Sequence, residues 1–129
     1  MSEFEMVEKK SRFISVAARV GAEDDAKAKI AEMARQHKRA NHVTFAYVLP
    51  SIERYGDDGE PRGTAGLPLL SSIKRRGLES TVVVVARYFG GILLGKGGLI
   101  RAYGKSAGLA LDGMLDDEAN PTPARIVRQ

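Results

Sequence analysis

The segment VVVVARYFGGILLGKGGLIRAY, residues 82–103, contains the clearest strand and the clearest strand-to-helix transition in the sequence. Four consecutive valines are typical of a buried β-strand. Glycines, aliphatic residues and a lysine follow, after which the spacing becomes helical, with Leu99, Ala102 and Tyr103 predicted to face inward. Within this segment, GGILLGKG at residues 90–97 differs by one residue from the phosphate-binding pattern GxxxxGK(S/T).

That difference argues against a nucleotide-binding loop. In such loops the lysine contacts the β- and γ-phosphates, and the following Ser or Thr hydroxyl binds magnesium. Gly97 occupies the position of the hydroxyl. The rest of the chain also predicts a helix but no further strand to carry an acidic magnesium partner. Nucleotide hydrolysis is therefore disfavoured.

Two interpretations of the glycine-rich loop remain. In one, its glycines serve only to make tight turns. In the other, the loop lies over the N-terminus of the last helix, where free N–H groups favour an anion. We favour the anion-binding interpretation because Lys96, Arg101 and Lys105 add positive charge there. Gly104 and Gly108 fall inside this helix, which predicts a close backbone approach to the sheet or to a partner.

Positive charge is concentrated in one region of the chain. The formal net charge is +4, from 20 basic and 16 acidic residues, but residues 61–111 carry eight basic residues and a single acid, Glu79. This bias is what an anionic partner such as RNA requires. The basic residues predicted to bind nucleic acid or another partner are Arg62, Arg87, Lys96, Arg101 and Lys105.

Composition limits the remaining classes. A chain of 129 residues has room for one domain with an ordinary core. The absence of cysteine excludes disulfides and thiolate zinc sites, and the longest apolar runs are far shorter than the roughly 20 residues that span a bilayer. We therefore expect a cytoplasmic protein that neither enters a membrane nor needs a cofactor.

Hydrophobic periodicity predicts an α+β fold with the order β-α-β-β-α-β-α. We expect a two-layer arrangement, a four-stranded mixed sheet with the helices on one face. Thr64 is predicted to cap the second helix, and residues 112–129 are predicted to be a tail or linker after a domain that comprises residues 1–111. The predicted strands cover residues 12–20, 43–49, 52–55 and 81–86, and the helices residues 23–38, 65–76 and 97–111.

An acidic loop offers a second candidate site. Asp57, Asp58 and Glu60 could bind a divalent cation for phosphotransfer or hydrolysis, or could instead form turns, cap helices or pair with arginines. Spacing alone does not decide between these roles, and we predict no metal. His37 and His42 have no partner at metal-ligand or catalytic-triad spacing, so no catalytic residues are predicted.

Four motifs in order resemble the N-terminal domain of the YigZ/IMPACT family over residues 11–111. They are SRFI at 11–14, ANH at 40–42, DDGEPRGTAGLP at 57–68 and the segment at 82–103. The resemblance implies a fold like domain IV of elongation factor G and the second domain of a small-subunit ribosomal protein. It also implies a link to translation control: eukaryotic members are regarded as inhibitors of a starvation-activated initiation-factor kinase, and bacterial members are suspected of binding RNA or the ribosome.

The sequence departs from the family pattern in two ways. Arg62 stands where many relatives have serine, and the ferredoxin-like second domain of typical bacterial members is absent from these 129 residues. Some bacterial relatives carry a proline-peptidase label, but no ligand set or nucleophile for that activity is visible here.

We therefore predict a noncatalytic, translation-linked module that binds structured RNA or the ribosome. The alternatives are a protein-interaction regulator of translation factors or stress-kinase signalling, and a small metal-dependent phosphotransferase or hydrolase. The oligomeric state, and whether the two glycine-rich loops meet, are left open. The glycines assigned to shaping these loops are Gly59, Gly63, Gly66, Gly90, Gly91, Gly95, Gly97 and Gly98.

Overall fold

A computed structural model describes residues 2–121 as a five-stranded antiparallel sheet with three helices. The spatial order of the strands is β1-β2-β5-β3-β4. The elements are β1 (Phe4–Glu8), β2 (Ser11–Arg19), α1 (Glu23–Gln36), β3 (His42–Leu49), β4 (Ile52–Gly56), α2 (Gly66–Arg75), β5 (Thr81–Tyr88) and α3 (Gly95–Ala119). The prediction of an α+β fold is confirmed.

The valine-rich strand β5 lies at the centre of the sheet, between β2 and β3. Successive side chains of a strand point to opposite faces. Val83 and Val85 enter one apolar cluster with α2 and α3, whereas Val82 and Val84 enter another with α1. Because helices cover both faces, every valine of the run is buried, as predicted for this strand, and no polar residue alternates with them.

This arrangement contradicts the predicted helix placement. Helix α1 packs Ala26 and Met33 against one face of the sheet, and α2 and α3 pack against the other face. The molecule therefore has three layers, with helices on both faces. A continuous valine run shows that both faces of a strand are covered, but our prediction placed all helices on one of them.

The predicted four-stranded mixed sheet is also wrong. The connection through α1 leads from β2 to β3, and the connection through α2 leads from β4 to β5; each passes over one strand of the sheet. As a result, β2 and β3 run parallel to each other, but β5 lies between them and pairs with both. Every directly paired strand is antiparallel. The additional strand, β1, lies at the edge, where Phe4 and Met6 contact the core and the charged residues between and after them remain exposed. Those charges concealed its strand pattern.

The last helix is longer than expected. It continues to Ala119, eight residues beyond the predicted end at Leu111, so the first part of the predicted tail is helical. Near the C-terminal end of α3, Glu118 forms an ion pair with Arg19 of β2, and the distance from Arg19 Nε to Glu118 Oε2 is 2.8 Å. Residues 122–129 of the predicted tail lie outside the described part of the chain. Within residues 2–121, no helix combines the length and hydrophobicity needed to cross a bilayer.

The two glycines inside α3 have different surroundings. A Cβ built at Gly108 would lie 3.1 Å from Arg76 Nη2, so this glycine accommodates a close approach. At Gly104, no described atom outside the local helix lies within 4 Å of the Cβ position. Of the two predicted explanations, an approach to the sheet is therefore wrong for Gly104, and an approach to a partner stays a prediction; at Gly108 the neighbour is the Arg76 side chain.

We expect Gly104→Ala to raise the free energy of unfolding by about 0.5–1 kcal/mol, because alanine stabilises a helix interior where space permits. Gly108→Ala is the matched control in the same helix, and its gain should be smaller because the Arg76 guanidinium must move. Urea denaturation of both variants measures the difference. A larger gain for Gly108→Ala would contradict this description of α3.

Candidate functional site

The loop between β4 and α2 directs its first carboxylate at backbone N–H groups. Asp57 Oδ1 accepts hydrogen bonds from Ala65 N at 3.2 Å and Gly66 N at 2.8 Å, and its Oδ2 accepts one from Gly63 N at 3.0 Å. Asp57, nine residues before Gly66, therefore accepts hydrogen bonds from N–H groups at the start of α2 that have no partner within the helix. The predicted cap, Thr64, instead donates its hydroxyl to the Pro61 carbonyl oxygen, so that prediction is wrong.

The second carboxylate of the loop binds the beginning of β3. Asp58 Oδ2 accepts a hydrogen bond from Val43 N at 2.7 Å. His42 Nδ1 lies 2.7 Å from the Asp58 carbonyl oxygen, which makes this nitrogen the donor. Asp58 and Gly59 have positive φ values of 46° and 86°, and they form the tight turn that brings the chain back toward β3.

The third carboxylate, Glu60, is buried at the centre of a polar network. Its oxygens lie 2.9 and 3.0 Å from Arg87 Nη1, and it accepts a hydrogen bond from the Tyr103 hydroxyl. Ser11 Oγ accepts hydrogen bonds from Arg87 Nε and Nη2, both at 3.3 Å. His42 Nε2 lies 3.6 Å from Glu60 Oε1. This Glu60 network thus connects the loop to β2, β3, β5 and α3.

Burial of the network has electrostatic consequences. Burial raises the pKa of Tyr103 strongly, and its hydrogen bond to Glu60 raises that pKa further because ionisation would place two negative charges together. Arg87 is only 5% exposed, so its guanidinium is inside the protein. The prediction that Arg87 belongs to a surface for an anionic partner is therefore not supported by its position.

The carboxylates of the acidic loop form turns, cap a helix and pair with an arginine, the roles that were predicted as the alternative to metal binding. They bind backbone amides, an arginine and a tyrosine. Among residues 2–121, no group of three His, Cys, Asp or Glu side chains is placed to hold a metal ion. The metal-dependent phosphotransferase hypothesis thus loses the free carboxylates on which it depended.

The second glycine-rich loop, between β5 and α3, is held against the β1–β2 turn. A Cβ at Gly90 would clash with the Lys10 carbonyl oxygen, so only glycine fits this contact. Asn41 Oδ1 accepts a hydrogen bond from Phe89 N at 2.8 Å, which fixes the backbone immediately before Gly90. The predicted loop glycines with positive φ are Gly59, Gly63, Gly91 and Gly95.

The other predicted loop glycines have various environments. A Cβ at Gly66 would lie 2.7 Å from the Tyr55 ring and 3.0 Å from Gly56 N, so this glycine permits α2 to begin close to β4. Gly97 and Gly98 lie in the first turn of α3. A Cβ would be 3.3 Å from Arg101 Nη1 at Gly97 and 3.2 Å from Leu94 Cβ at Gly98.

Both glycine-rich loops contribute to one groove of about 1210 Å³, which is bordered by the end of β1, α2 and α3. Gly63 of the first loop and Leu94 at the end of the second both line it, so the two loops border the same groove. Of the predicted basic residues, Arg101 and Lys105 line the groove. Arg62 and Lys96 are exposed but do not line the groove themselves. Arg62 precedes the lining residue Gly63, and Lys96 lies in the first turn of α3, two residues before the lining residue Gly98.

The structure adds two basic residues that the sequence did not single out. Lys9 lies in the β1–β2 turn and Arg75 at the end of α2, and both line the groove. They are far from Arg101 in sequence, so only the fold brings them together. Within the described residues, no ion pair involves the exposed cations Lys9, Arg75, Arg101 and Lys105 of the groove, or Arg62 and Lys96 beside the loops.

We expect Glu60→Gln to lower the free energy of unfolding by about 3–5 kcal/mol, because removing one partner leaves the buried Arg87 charge uncompensated. The double variant Glu60→Gln with Arg87→Met should recover most of that loss, because no unpaired charge remains. Chemical denaturation measures both variants. A Glu60→Gln protein within about 1 kcal/mol of wild type would contradict a structural role for this pair.

The raised pKa of Tyr103 predicts a loss of stability in alkali. Above the unfolded value near pH 10, the unfolded chain releases the tyrosine proton while the folded protein retains it, so stability falls as pH rises. Between pH 9 and 11 the contribution totals about 1.4 kcal/mol, its slope approaching about 1.4 kcal/mol per pH unit at the upper end, and Tyr103→Phe should remove it. Urea denaturation from pH 9 to 11 gives the two slopes. Equal slopes for wild type and Tyr103→Phe would contradict the buried hydrogen bond.

The sequence and fold match known proteins over most of the chain. The family model of the Impact N-terminal domain matches residues 9–111. The chain is 50% identical over 113 residues to IMPACT family member YvyE of Bacillus subtilis, covering 85% of this chain and 52% of that protein. It is 39% identical over 118 residues to IMPACT family member YigZ of Escherichia coli, covering 88% and 58%.

Two solved structures are similar in fold. A crystal structure of a hypothetical protein superimposes with a TM-score of 0.82 at 39% identity, covering 85% of this chain and 56% of that one. The two-domain translational regulator Yih1 gives a TM-score of 0.51 at 26% identity, covering 81% and 44%. The chain thus spans about half the length of the relatives it matches. Because the family model covers most of its residues, the chain belongs to the IMPACT family and carries that family's N-terminal domain.

Proposed function

We propose that this domain is a noncatalytic, translation-linked module that binds structured RNA on the ribosome through its basic loops and groove. The observation that carries the proposal is one groove that both glycine-rich loops border and that four unpaired cations line, Lys9, Arg75, Arg101 and Lys105, with Arg62 and Lys96 exposed close by in the sequence. A phosphate backbone is the ligand for which such a surface is suited, because its charges repeat along an extended chain. The similar protein Yih1 is described as a translational regulator, which supports the link to translation.

The contact should centre on Arg101, which lines the groove, and on Arg62 and Lys96, which are exposed and lie close in sequence to groove-lining residues of the two loops. Arg62 extends from the loop that Asp57 and Glu60 hold in place. Lys96 and Arg101 lie in the first two turns of α3, where the helix dipole also favours anions. Neutralising phosphates there releases their counterions, so binding must weaken steeply as salt increases.

The absence of catalysis is part of the same proposal. The three loop carboxylates are each hydrogen-bonded within the fold, which supports a structural role for them. We further propose a cytoplasmic location and no cofactor. Because the relatives are nearly twice as long, any activity that needs their remaining half lies outside what this domain performs alone.

We expect the protein to cosediment with bacterial ribosomes at low salt. The affinity should fall with a log–log slope of about 0.9 per neutralised phosphate for duplex-like targets. Lys96→Glu with Arg101→Glu should weaken binding at least about tenfold, a loss of about 1.4 kcal/mol or more.

The control is Lys27→Glu with Arg35→Glu, which makes the same change of charge on α1, across the sheet from the groove. Its affinity should stay within about twofold of wild type if the groove is the binding surface. Absence of binding at low salt would refute the proposal. Equal losses in the two double variants would show that net charge, and not this surface, governs the interaction.

A second candidate function is that of a protein-interaction regulator. It is favoured by exposed apolar side chains in the groove, which a phosphate backbone would not use. Cosedimentation or capture that persists after nuclease treatment would favour this function over RNA binding.

A further inference from the structure

The loop between β5 and α3 presents apolar side chains to solvent. Leu93, at its tip, is 81% exposed, and Phe89 and Ile92 are 45% and 42% exposed. One exposed apolar side chain is ordinary on a protein surface, but three within five residues of one loop indicate an interaction surface. These side chains contribute little to the packing of the domain itself, so their role is to be sought in contact with another molecule.

The loop is held at both ends, so its tip has a defined position. The backbone contacts of Phe89 and Gly90 fix its start. At its other end, Leu94 packs against the apolar cluster formed with α2 and α3. Gly91 and Gly95 have φ values of 89° and 77°, and they turn the chain on either side of the exposed tip. The apolar tip is thus a projection that the fold supports.

The ring of Phe89 rests on a buried cation. Arg87 Cζ lies over this ring, 5.5 Å from its centroid, and the same guanidinium pairs with Glu60. The cation–π contact and the Glu60 network therefore hold the ring in place and still leave nearly half of it exposed. An aromatic surface that is fixed before binding loses little conformational entropy when a nucleic-acid base stacks on it.

Three exposed cations lie beside the loop. Lys10 belongs to the β1–β2 turn against which the loop packs, and Lys96 lies in the first turn of α3. Arg101 Nη1 is 3.3 Å from the Cβ position of Gly97, so its guanidinium lies over that same turn. Among residues 2–121, none of the three cations forms an ion pair. Glu8, at the end of β1, is exposed too, but two lysines follow it, so the charge beside the loop is net positive.

We propose that this loop binds unpaired bases of the RNA to which the domain docks. Phe89 stacks on one base and Leu93 inserts next to a neighbouring base as an apolar wedge, while the cations bind the adjoining phosphates. Phe89 and Leu93 are four residues apart, so their Cα atoms are separated by at most about 14 Å, which about four stacked nucleotides cover. The inference rests on the proposed function and deepens it, because it names the class of RNA: loops or bulges with unpaired bases.

Other occupants explain fewer of these features. A bilayer would accept Ile92 and Leu93, but two aliphatic side chains bury too little surface for stable attachment, since even one myristoyl chain binds a membrane only marginally. A pocket in a partner protein would accept the tip, but it would not require cations on both elements beside the loop. Unpaired RNA supplies apolar base faces and phosphate charges in one repeating unit, and it therefore accounts for both features together.

The test compares the affinity of the full chain for two RNAs of equal length. One is a hairpin of about 24 nucleotides with about eight unpaired bases in its loop, and the other is a duplex with the same total number of nucleotides. Fluorescence anisotropy of the labelled RNAs at low salt measures both affinities. We expect the hairpin to bind at least about fivefold more tightly, because only its unpaired bases are free to stack.

Phe89→Leu and Leu93→Ala should each lower the affinity for the hairpin at least about fivefold and the affinity for the duplex less than about twofold. The slope of hairpin affinity against salt should stay the same, because neither change removes a cation that binds phosphate. Leu93 is mostly exposed, so Leu93→Ala should leave the fold intact even if Phe89→Leu disturbs the contact with Arg87. Urea denaturation checks the stability of both variants.

Two matched controls change similar side chains outside the loop. Tyr55→Leu alters an aromatic side chain of β4 that has the same 45% exposure as Phe89. Leu109→Ala truncates a partly exposed leucine in the middle of α3. Both controls should bind the hairpin within about twofold of the wild type.

Equal affinity of the wild type for the two RNAs would overturn the inference and leave the RNA proposal standing. Retention of the hairpin preference by both loop variants, or equal losses in the controls, would do the same. Binding to neither RNA would also overturn it, and cosedimentation with ribosomes then decides separately on the proposed function. Binding to phosphatidylglycerol vesicles, or nuclease-resistant binding to ribosomes, that Leu93→Ala weakens while the two RNAs bind equally would assign the tip to a bilayer or to a protein instead.

Discussion

The buried carboxylate of Glu60 is the interaction on which the arrangement of this domain depends. Removing a carboxylate and a guanidinium from water costs several kcal/mol per ion, and close geometry with additional hydrogen bonds must offset that cost. Arg87, Tyr103 and Ser11 provide those bonds from three different elements. A loop rich in glycine and proline, which could otherwise move freely, is consequently fixed to the centre of the sheet and to α3.

The position of the loop then determines the surface. With Glu60 anchored, Asp57 reaches the N-terminus of α2, and Gly63 comes to line the same groove as Gly98. Gly90 brings the second loop against the turn that contains Lys10. The carboxylates of the loop thus bond within the fold, and Asp112 pairs with Arg76, whereas the cations of the groove and Glu8 remain exposed. A buried acidic network and a basic exterior are two consequences of one arrangement.

Much of the fold could be read from the sequence, because long periodic segments determine local structure. The strand at residues 81–86, the presence of three helices and the inward positions of Leu99, Ala102 and Tyr103 were predicted correctly, although the last helix extends further than predicted. The edge strand β1 was missed because it is short, contains two glutamates of low β-propensity, and has an exposed Val7 that breaks the alternation of apolar and polar residues. The layer arrangement was missed because the helix-to-sheet connections skip a strand, which local pattern does not reveal. The family resemblance, in contrast, rested on specific motifs and is confirmed.

The candidate site was predicted less completely for the same reason. The acidic loop and the basic residues were identified, but the Glu60–Arg87 pair joins residues 27 apart. One signal was available: Val83, Val85 and Arg87 share a face of β5, so the strand period places Arg87 on a buried face. Lys9 and Arg75 could not have been assigned to the groove, because only the fold brings their elements to α3.

The most direct test of this account is native-state hydrogen exchange at the loop amides of Gly63 and Gly66, which donate to Asp57. If the Glu60 network makes the loop part of the core, both amides should exchange with nearly the same opening free energy as the amides of β5. Exchange of both amides through a local opening far below the global unfolding free energy would contradict the central claim.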